Sequence, residues 1–164
     1  MTALPGRRSS CGGFTFIELA VTVAIIAVLA TAVLPLAQLT ARREKERLLR
    51  ADLLQIRDAI DAYKVASDAG RVTHSADSTG YPPDLEVLVQ GVEDARDPAR
   101  HRIYFLRAMP RDPFFEDPAV PPAQTWTTRS YDSPPDDPHS GRDVYDVHST
   151  AGGIALDGTA YRSW

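Results

Sequence analysis

The chain has 164 residues, of which 43% are hydrophobic and 24% are charged, and its formal net charge is −4. This length leaves room for one domain besides a membrane segment, and the acidic balance gives no reason to expect nucleic-acid binding. The only cysteine is Cys11. An intramolecular disulfide is therefore excluded, and packing or neighbouring molecules must stabilise the fold.

An apolar run from Phe14 to Leu36 contains a single charged residue, Glu18. At about 1.5 Å per residue, a helix of this length crosses a hydrocarbon core of roughly 30 Å. A carboxylate inside such a helix is costly unless an opposite charge pairs with it. The pattern therefore predicts a membrane helix whose Glu18 finds its partner on another molecule. The alternative is a Glu18 side chain that reaches back to the lipid headgroups.

The residues before the run contain Arg7 and Arg8, as a secretory signal peptide would, and residues 30–32 read Ala-Thr-Ala, a conceivable signal cleavage site. Glu18 argues against this interpretation, because the apolar core of a signal peptide is short and uncharged. The segment from Gly13 to Glu18 reads Gly-Phe-Thr-Phe-Ile-Glu. It resembles the prepilin motif of type IV pilins and type II secretion pseudopilins.

This resemblance implies that residues 1–13 are a leader, removed by a prepilin peptidase that cleaves between Gly13 and Phe14. It also implies N-methylation of the new terminal amine of Phe14. Glycine at the cleavage position lets a protease approach the backbone closely. In the family, the carboxylate that corresponds to Glu18 meets the terminal amine of a neighbouring subunit during assembly.

The resemblance also places the protein in the bacterial inner membrane as a single-pass protein, with its C-terminal domain in the periplasm. The distribution of basic residues argues for the opposite orientation, since only Arg7 and Arg8 precede the apolar run. Five basic residues follow it within a short distance: Arg42, Arg43, Lys45, Arg47 and Arg50. We give the motif precedence over this statistical rule.

Residues 14–37 are predicted to form the transmembrane half of a long N-terminal helix. Pro35 lies inside this half, where it removes a backbone hydrogen bond and clashes with the preceding turn. A helix kink at Pro35 is the expected consequence, and pilins commonly carry a proline at this distance from the cleavage site. An equally simple interpretation is that Pro35 marks the exit from the membrane.

Residues 38–69 are predicted to form the amphipathic half of the same helix. Its apolar residues recur at steps of three and four and therefore share one face. They are Leu49, Leu53, Ile56, Ile60 and Tyr63. A small sheet is expected to cover this face, and a coiled-coil seam is a weaker option. Glu46 and Arg50 are predicted to form an i,i+4 ion pair, and Gly70 to end the helix.

Residues 70–164 are predicted to form a periplasmic α+β domain with short elements, because eleven of the thirteen prolines lie between Pro82 and Pro138. Asp84 is expected to cap a short helix. Gly80-Tyr81-Pro82 and the segment 106–114 are similar to elements of the major pseudopilin of type II secretion.

The last third of the chain is expected to contain the strands, at residues 124–131, 143–148 and 154–156. Asp157-Gly158 predicts a two-residue hairpin. The predicted fold class is α+β: a pilin-like fold in which the long N-terminal helix packs on a small antiparallel C-terminal sheet.

Major pseudopilins bind calcium in the loop before their terminal tryptophan, and calcium takes six to eight oxygen ligands. The residues after Ser149 offer a single carboxylate, Asp157. Asp143 and Asp146 could contribute only if the fold brought them close. We therefore expect no metal and no other cofactor, with calcium as the least improbable exception.

Catalytic patterns are not evident. The four histidines are scattered without metal-binding spacing, and the chain contains neither a nucleophile elbow nor a Gly-Lys-Ser/Thr phosphate loop. The resemblance implies a structural subunit that polymerises with other pseudopilins. Its implied partners are the prepilin peptidase, the membrane, and the inner-membrane secretion platform with its cytoplasmic ATPase.

Two alternatives remain open at this point. The first is a minor pilin of a type IV pilus or DNA-uptake system, for which the proline-rich segment 118–138 would be a recognition surface. The second belongs to another class: a membrane-anchored periplasmic binding or enzymatic domain. The mature N-terminus distinguishes them, because only a processed pilin begins with methylated Phe14.

Overall fold

A computed structural model describes residues 13–75 and 77–164, so the predicted leader lies almost wholly outside the described residues. The chain divides into two compact units: the first ends at Ala41, and the second runs from Arg42 to Trp164.

Helix α1 runs from Phe16 to Asp68, so the predicted continuous helix is confirmed and passes through Pro35. It ends as predicted at Gly70, whose φ of +68° is a backbone conformation that glycine tolerates best. The N–H groups of Gly70 and Arg71 donate to the carbonyls of Ser67 and Ala66, at 2.8 and 2.9 Å. This pair of bonds is the Schellman motif, which satisfies carbonyls at the helix end.

In the first unit, the apolar side chains of α1 are exposed. Phe16, Ile26 and Leu36 are 87%, 64% and 64% exposed. Within the described residues, α1 is the one helix long and apolar enough to cross a membrane, and its most apolar window has a mean hydropathy of 2.6. Apolar surface of this extent needs a non-aqueous or protein environment.

In the second unit, the predicted apolar stripe of α1 is buried: Leu49 and Ile56 are fully buried, and Leu53, Ile60 and Tyr63 are at most 6% exposed. The stripe packs in one hydrophobic core with side chains from the loops and strands that follow. These include Leu85, Leu88, Leu106, Trp126, Val144, Val147 and Tyr161. The stripe is therefore a packing face within the chain.

The remaining elements are short. Helix α2 spans Glu86–Gln90, and Asp84 caps it as predicted by accepting a hydrogen bond from the Val87 N–H at 2.8 Å. Strands β1 (Val92–Glu93) and β2 (Arg102–Ile103) form one antiparallel pair. Strands β3 (Trp126–Arg129) and β4 (Asp146–Ser149) form another, in which Trp126 is opposite Ser149.

The α+β fold class is thus confirmed, but the details of the sheet differ from the prediction. The described residues contain two separate two-stranded sheets, and β1 and β2 were not expected. Strand β3 begins only at Trp126, because residues 122–125 form a turn of 3₁₀ helix behind Pro121. Consecutive prolines cannot donate to a strand ladder, which shortens the strand.

The predicted strand 154–156 is wrong, since only an isolated bridge joins Ile154 to Ala160. Asp157-Gly158 does turn the chain, and Gly158 has a φ of +88°. The Ala155 N–H donates to the Thr159 carbonyl at 2.7 Å, so the turn holds three residues rather than two. A three-residue loop with glycine at the positive-φ position is the next most common hairpin connection.

Candidate functional site

The segment that carries the prepilin-like motif begins outside any helix. Gly13, Phe14 and Thr15 are exposed and have no regular secondary structure, and the Phe14 side chain is 82% exposed. A protease needs accessible backbone outside a helix, and these three residues are exposed and precede the first helical residue, Phe16. Cleavage after Gly13 and methylation of Phe14 remain predictions.

Thr15 caps the start of α1, a role that the sequence analysis missed. Its Oγ1 accepts a hydrogen bond from the Glu18 N–H at 3.3 Å, and its carbonyl accepts one from the Leu19 N–H at 3.1 Å. The spacing from Thr15 to Glu18 matches the Thr-x-x-Glu capping box, which was the available signal. The cap fixes Glu18 in the first turn, where the partial positive charge of the helix N-terminus favours a carboxylate.

The Glu18 carboxylate itself has no partner among the described residues, none of which donates a hydrogen bond or forms an ion pair with it. Glu18 is exposed, and its neighbours Ile17 and Leu19 are 71% and 58% exposed. A carboxylate on an apolar helix surface gains most from a cation supplied by another molecule.

Pro35 removes one donor from α1, so the Thr31 carbonyl lacks its usual i+4 partner. The hydroxyls near it are satisfied within the helix: Thr31 donates to the Val28 carbonyl at 2.7 Å, and Thr40 donates to the Leu36 carbonyl at 2.9 Å. Because both hydroxyls are hydrogen-bonded to carbonyls of their own helix, they are compatible with an apolar environment. The kink at Pro35 stays a prediction.

A second cluster of polar contacts lies in the second unit, where α1 meets the C-terminal segment. Glu46 is 8% exposed and accepts hydrogen bonds from the Tyr161 hydroxyl at 2.8 Å and the Leu156 N–H at 3.0 Å. Arg42 places its Nε 3.4 Å from the same carboxylate. The predicted Glu46–Arg50 pair is therefore wrong, because Glu46 points into the fold rather than along the helix surface.

Arg50 instead contacts residues of the C-terminal segment. Its guanidinium pairs with the Asp157 carboxylate and lies over the Trp164 ring, 4.0 Å from the ring centroid. Hydrogen bonds from the Thr159 hydroxyl and N–H, followed by the Arg50 contact, hold the pKa of Asp157 below its usual value. About two turns further along α1, Arg57 donates to Asp146 at 2.7 Å and to the Trp164 backbone oxygen at 2.7 Å.

The carboxylates considered for calcium are thus already engaged. Asp157 and Asp146 are paired with arginines, and Asp143 accepts hydrogen bonds from the hydroxyls of Thr79 and Ser130. Burial alone would raise the pKa of Asp143, but these bonds outweigh it and lower the pKa. In the part of the chain that the structure describes, no three acidic, histidine or cysteine side chains cluster as metal ligands. This donor set does not fit a calcium site of six to eight oxygens.

In a comparison with known families, residues 8–34 match the model of the prokaryotic N-terminal methylation motif. No curated protein and no solved structure matches the chain significantly. The motif and the exposed apolar helix are consistent with membrane anchoring, and the motif points to a structural protein. With the long helix and the small antiparallel sheets, it supports a type IV pilin-like protein.

Proposed function

We propose that the protein is a structural subunit of a type II secretion pseudopilus. Subunits would polymerise at the inner membrane into a short periplasmic filament that helps to export folded proteins. The observation that carries this proposal is Glu18, which lies five positions after Gly13 in the capped first turn of an apolar helix. Its residue is exposed, and its carboxylate has no partner among the described residues.

The proposed mechanism begins with cleavage after Gly13 by the prepilin peptidase and with methylation of the new terminal amine of Phe14. That amine then meets Glu18 of a neighbouring subunit. In a low-dielectric surrounding the attraction offsets the cost of burying each charge, so the pair sets the register between subunits. The inner-membrane platform and its cytoplasmic ATPase supply the driving force, and the C-terminal domain faces the periplasm.

The preference for a pseudopilus over an ordinary pilus rests on the segments that resemble the major pseudopilin. Asp112, in the second of these segments, is completely buried. Its carboxylate accepts hydrogen bonds from the Ser149 hydroxyl at 2.5 Å and the Phe114 N–H at 2.8 Å. The segment is therefore joined to the end of β4 through a buried carboxylate.

Two measurements test the proposal. Mass spectrometry of the membrane-extracted protein is expected to find an N-methylated Phe14 as the first residue.

Glu18→Ala is expected to abolish incorporation into filaments while the C-terminal unit stays folded. Glu44→Ala is the matched control, because Glu44 is an exposed acidic residue on the same helix, 62% exposed at its side chain. Normal secretion by the Glu18→Ala variant would contradict the mechanism, and an unprocessed Met1 would favour the anchored binding or enzymatic domain.

A minor pilin is the second candidate, and the exposed end of the proline-rich segment 118–138 favours it. Residues 134–138 are all exposed, as a recognition surface requires, whereas Trp126 in the same segment belongs to the core. Quantifying the subunits in isolated filaments separates the two candidates: a major pseudopilin is the most abundant component, whereas a tip subunit is present in one or a few copies.

A further inference from the structure

The first turns of α1 in the second unit carry basic residues, most of which are paired with carboxylates. The pairs are Arg42–Glu46, Arg47–Glu44 and Arg50–Asp157. Arg43 and Lys45 are exposed and form no ion pair with any described residue. The Lys45 ammonium lies 5.7 Å from the centroid of the Phe114 ring, a contact that leaves its charge unneutralised. Both cations can therefore bind an anionic ligand.

Arg43 and Lys45 lie on different sides of α1. At 3.6 residues per turn, two positions that are two residues apart are separated by about 160° around the helix axis. A protein partner packs against one side of a helix, whereas lipid headgroups surround a helix that emerges from a bilayer. The placement of the two cations therefore favours lipid headgroups over a protein as their ligand.

The position of the two cations in the chain brings them within reach of a membrane surface. Arg43 and Lys45 follow residue 37, the predicted end of the transmembrane half, by six and eight positions. Along a helix these separations are about 9 and 12 Å. The polar headgroup layer is about 5–8 Å thick on each side of the hydrocarbon core. Helical side chains tilt toward the N-terminus, here the direction of the apolar run, and the long lysine and arginine side chains cover the remaining distance.

The C-terminal segment lies beside the same turns of α1. Arg42 donates to the Ile154 carbonyl, and Glu46 accepts a hydrogen bond from the Leu156 N–H at 3.0 Å. Ile154 and Leu156 are nevertheless 63% and 41% exposed. Arg162 lines a shallow cavity of about 320 Å³ together with Ile154, and it too has no ion pair within the described ranges. This end of the second unit thus combines exposed apolar side chains with unneutralised cations.

We propose that this end of the second unit docks on the surface of an anionic phospholipid bilayer. The docking face consists of Arg43, Lys45, Ile154, Leu156 and Arg162. Its cations contact lipid phosphates, and its two apolar side chains enter the boundary between headgroups and acyl chains. The inference rests on the membrane anchoring in the proposed function, because the apolar helix holds the docking face near the bilayer. It also gives a ligand to basic residues whose position the orientation rule for membrane proteins does not explain.

Fluorescence quenching of the full chain in vesicles tests the docking face. A bimane probe is attached to Gly152→Cys in a Cys11→Ser background. Gly152 lines the same cavity as Ile154 and Arg162, and a Cβ atom at this position meets nothing within 4 Å. The vesicles contain lipids with a nitroxide at the boundary between headgroup and acyl chain. Quenching is expected in equal parts of phosphatidylcholine and phosphatidylglycerol, and not in phosphatidylcholine alone.

A probe at Val65→Cys is the matched control. Val65 is exposed and lies about 33 Å beyond Arg43 along α1. Because the headgroup layer is much thinner than this distance, the control probe is expected to remain unquenched in both kinds of vesicle.

Removing the cations tests the role of charge. A basic residue near an anionic surface strengthens binding by about fivefold. Arg43→Gln, Lys45→Gln and Arg162→Gln together are therefore expected to lower the ratio of docked to undocked probe about a hundredfold. The control variant removes the same charge at three exposed arginines outside the docking face and is expected to leave the ratio unchanged. Its substitutions are Arg96→Gln, Arg100→Gln and Arg107→Gln.

The other outcomes would overturn the proposal. Equal quenching with and without phosphatidylglycerol would exclude recognition of anionic lipid, and a probe unquenched in both would exclude docking. Shielding that rises with the ratio of protein to lipid would indicate a second copy of the chain as the occupant. Both leaflets have the same composition, so these results depend neither on orientation nor on filament formation and leave the proposed function intact. A chain that does not float with vesicles of either composition would refute the membrane anchoring and the proposed function as well.

Discussion

Two isoleucines of the same helix illustrate the difference between the two units. Ile26 is 64% exposed in the first unit, whereas Ile56 is completely buried in the second. The same contrast holds for the carboxylates: Glu18 has no partner within the described residues, whereas Glu46 accepts hydrogen bonds from Tyr161 and Leu156.

The contrast shows that the second unit buries an apolar core of its own and pairs the buried Glu46 internally, whereas the described part of the first unit has no such core. An isolated apolar helix with an unpaired carboxylate gains stability only from lipid or from other subunits. The described second unit has its own core, which suits a domain carried at the end of such a helix.

Removing core volume is expected to affect the second unit alone. Ile56→Ala should lower its free energy of unfolding by about 2–5 kcal/mol, because a buried side chain is lost and a cavity remains. Ile26→Ala is the matched control and should leave this value unchanged. Urea unfolding of the full chain in mild detergent, followed by tryptophan fluorescence, measures it, since Trp126 and Trp164 both lie in the second unit. Equal effects of the two substitutions would contradict the division.

Removing the buried carboxylate is expected to have an intermediate effect. Glu46→Ala leaves the Tyr161 hydroxyl and the Leu156 N–H without an acceptor, at a cost of about 1–3 kcal/mol. Glu44→Ala, on the exposed side of the helix, should change stability by less than about 0.5 kcal/mol. The same unfolding measurement compares them. If Glu46→Ala were as mild as Glu44→Ala, the second unit would not depend on its internal polar contacts.

The smallest effect is expected at the C-terminal turn. Arg50→Ala removes the contact with the Trp164 ring, worth about 0.5–1 kcal/mol for an exposed cation on an aromatic face. Arg47 is a helix arginine whose side chain is 82% exposed, so Arg47→Ala is the matched control and should change the free energy of unfolding less.

Calcium or a chelator should leave the unfolding midpoint of the wild-type chain unchanged. A calcium-dependent rise, or micromolar binding by isothermal titration, would show that the second unit depends on an external ion.

Several features of the fold follow from local sequence rules, and the structure confirms them. The buried stripe from Leu49 to Tyr63 repeats with the period of a helix, Gly70 ends that helix, and Asp84 caps α2. The Thr15 cap could also have been predicted from its spacing to Glu18. Each of these depends on residues a few positions apart, whose relative placement a helix determines.

Other features depend on residues that only the folded chain brings together. The predicted Glu46–Arg50 pair has the i,i+4 spacing that favours an ion pair on a helix. In the structure, however, Glu46 accepts a hydrogen bond from Tyr161, which is 115 positions away. Likewise, the short strands β1 and β2 carry no periodicity from which to recognise them, because two residues cannot show alternation.

The sequence by itself determined the long helix, the face that it buries and the one carboxylate in its apolar half. Spacing along one helix is a local property, so these features could be read without a fold. Only the tertiary structure decided which groups meet Glu46, Arg50 and Arg57, and therefore that arginines engage Asp157 and Asp146 near the C-terminus. The physical reason is that these contacts require loop closure and competition between partners, and neither is encoded in the neighbouring residues.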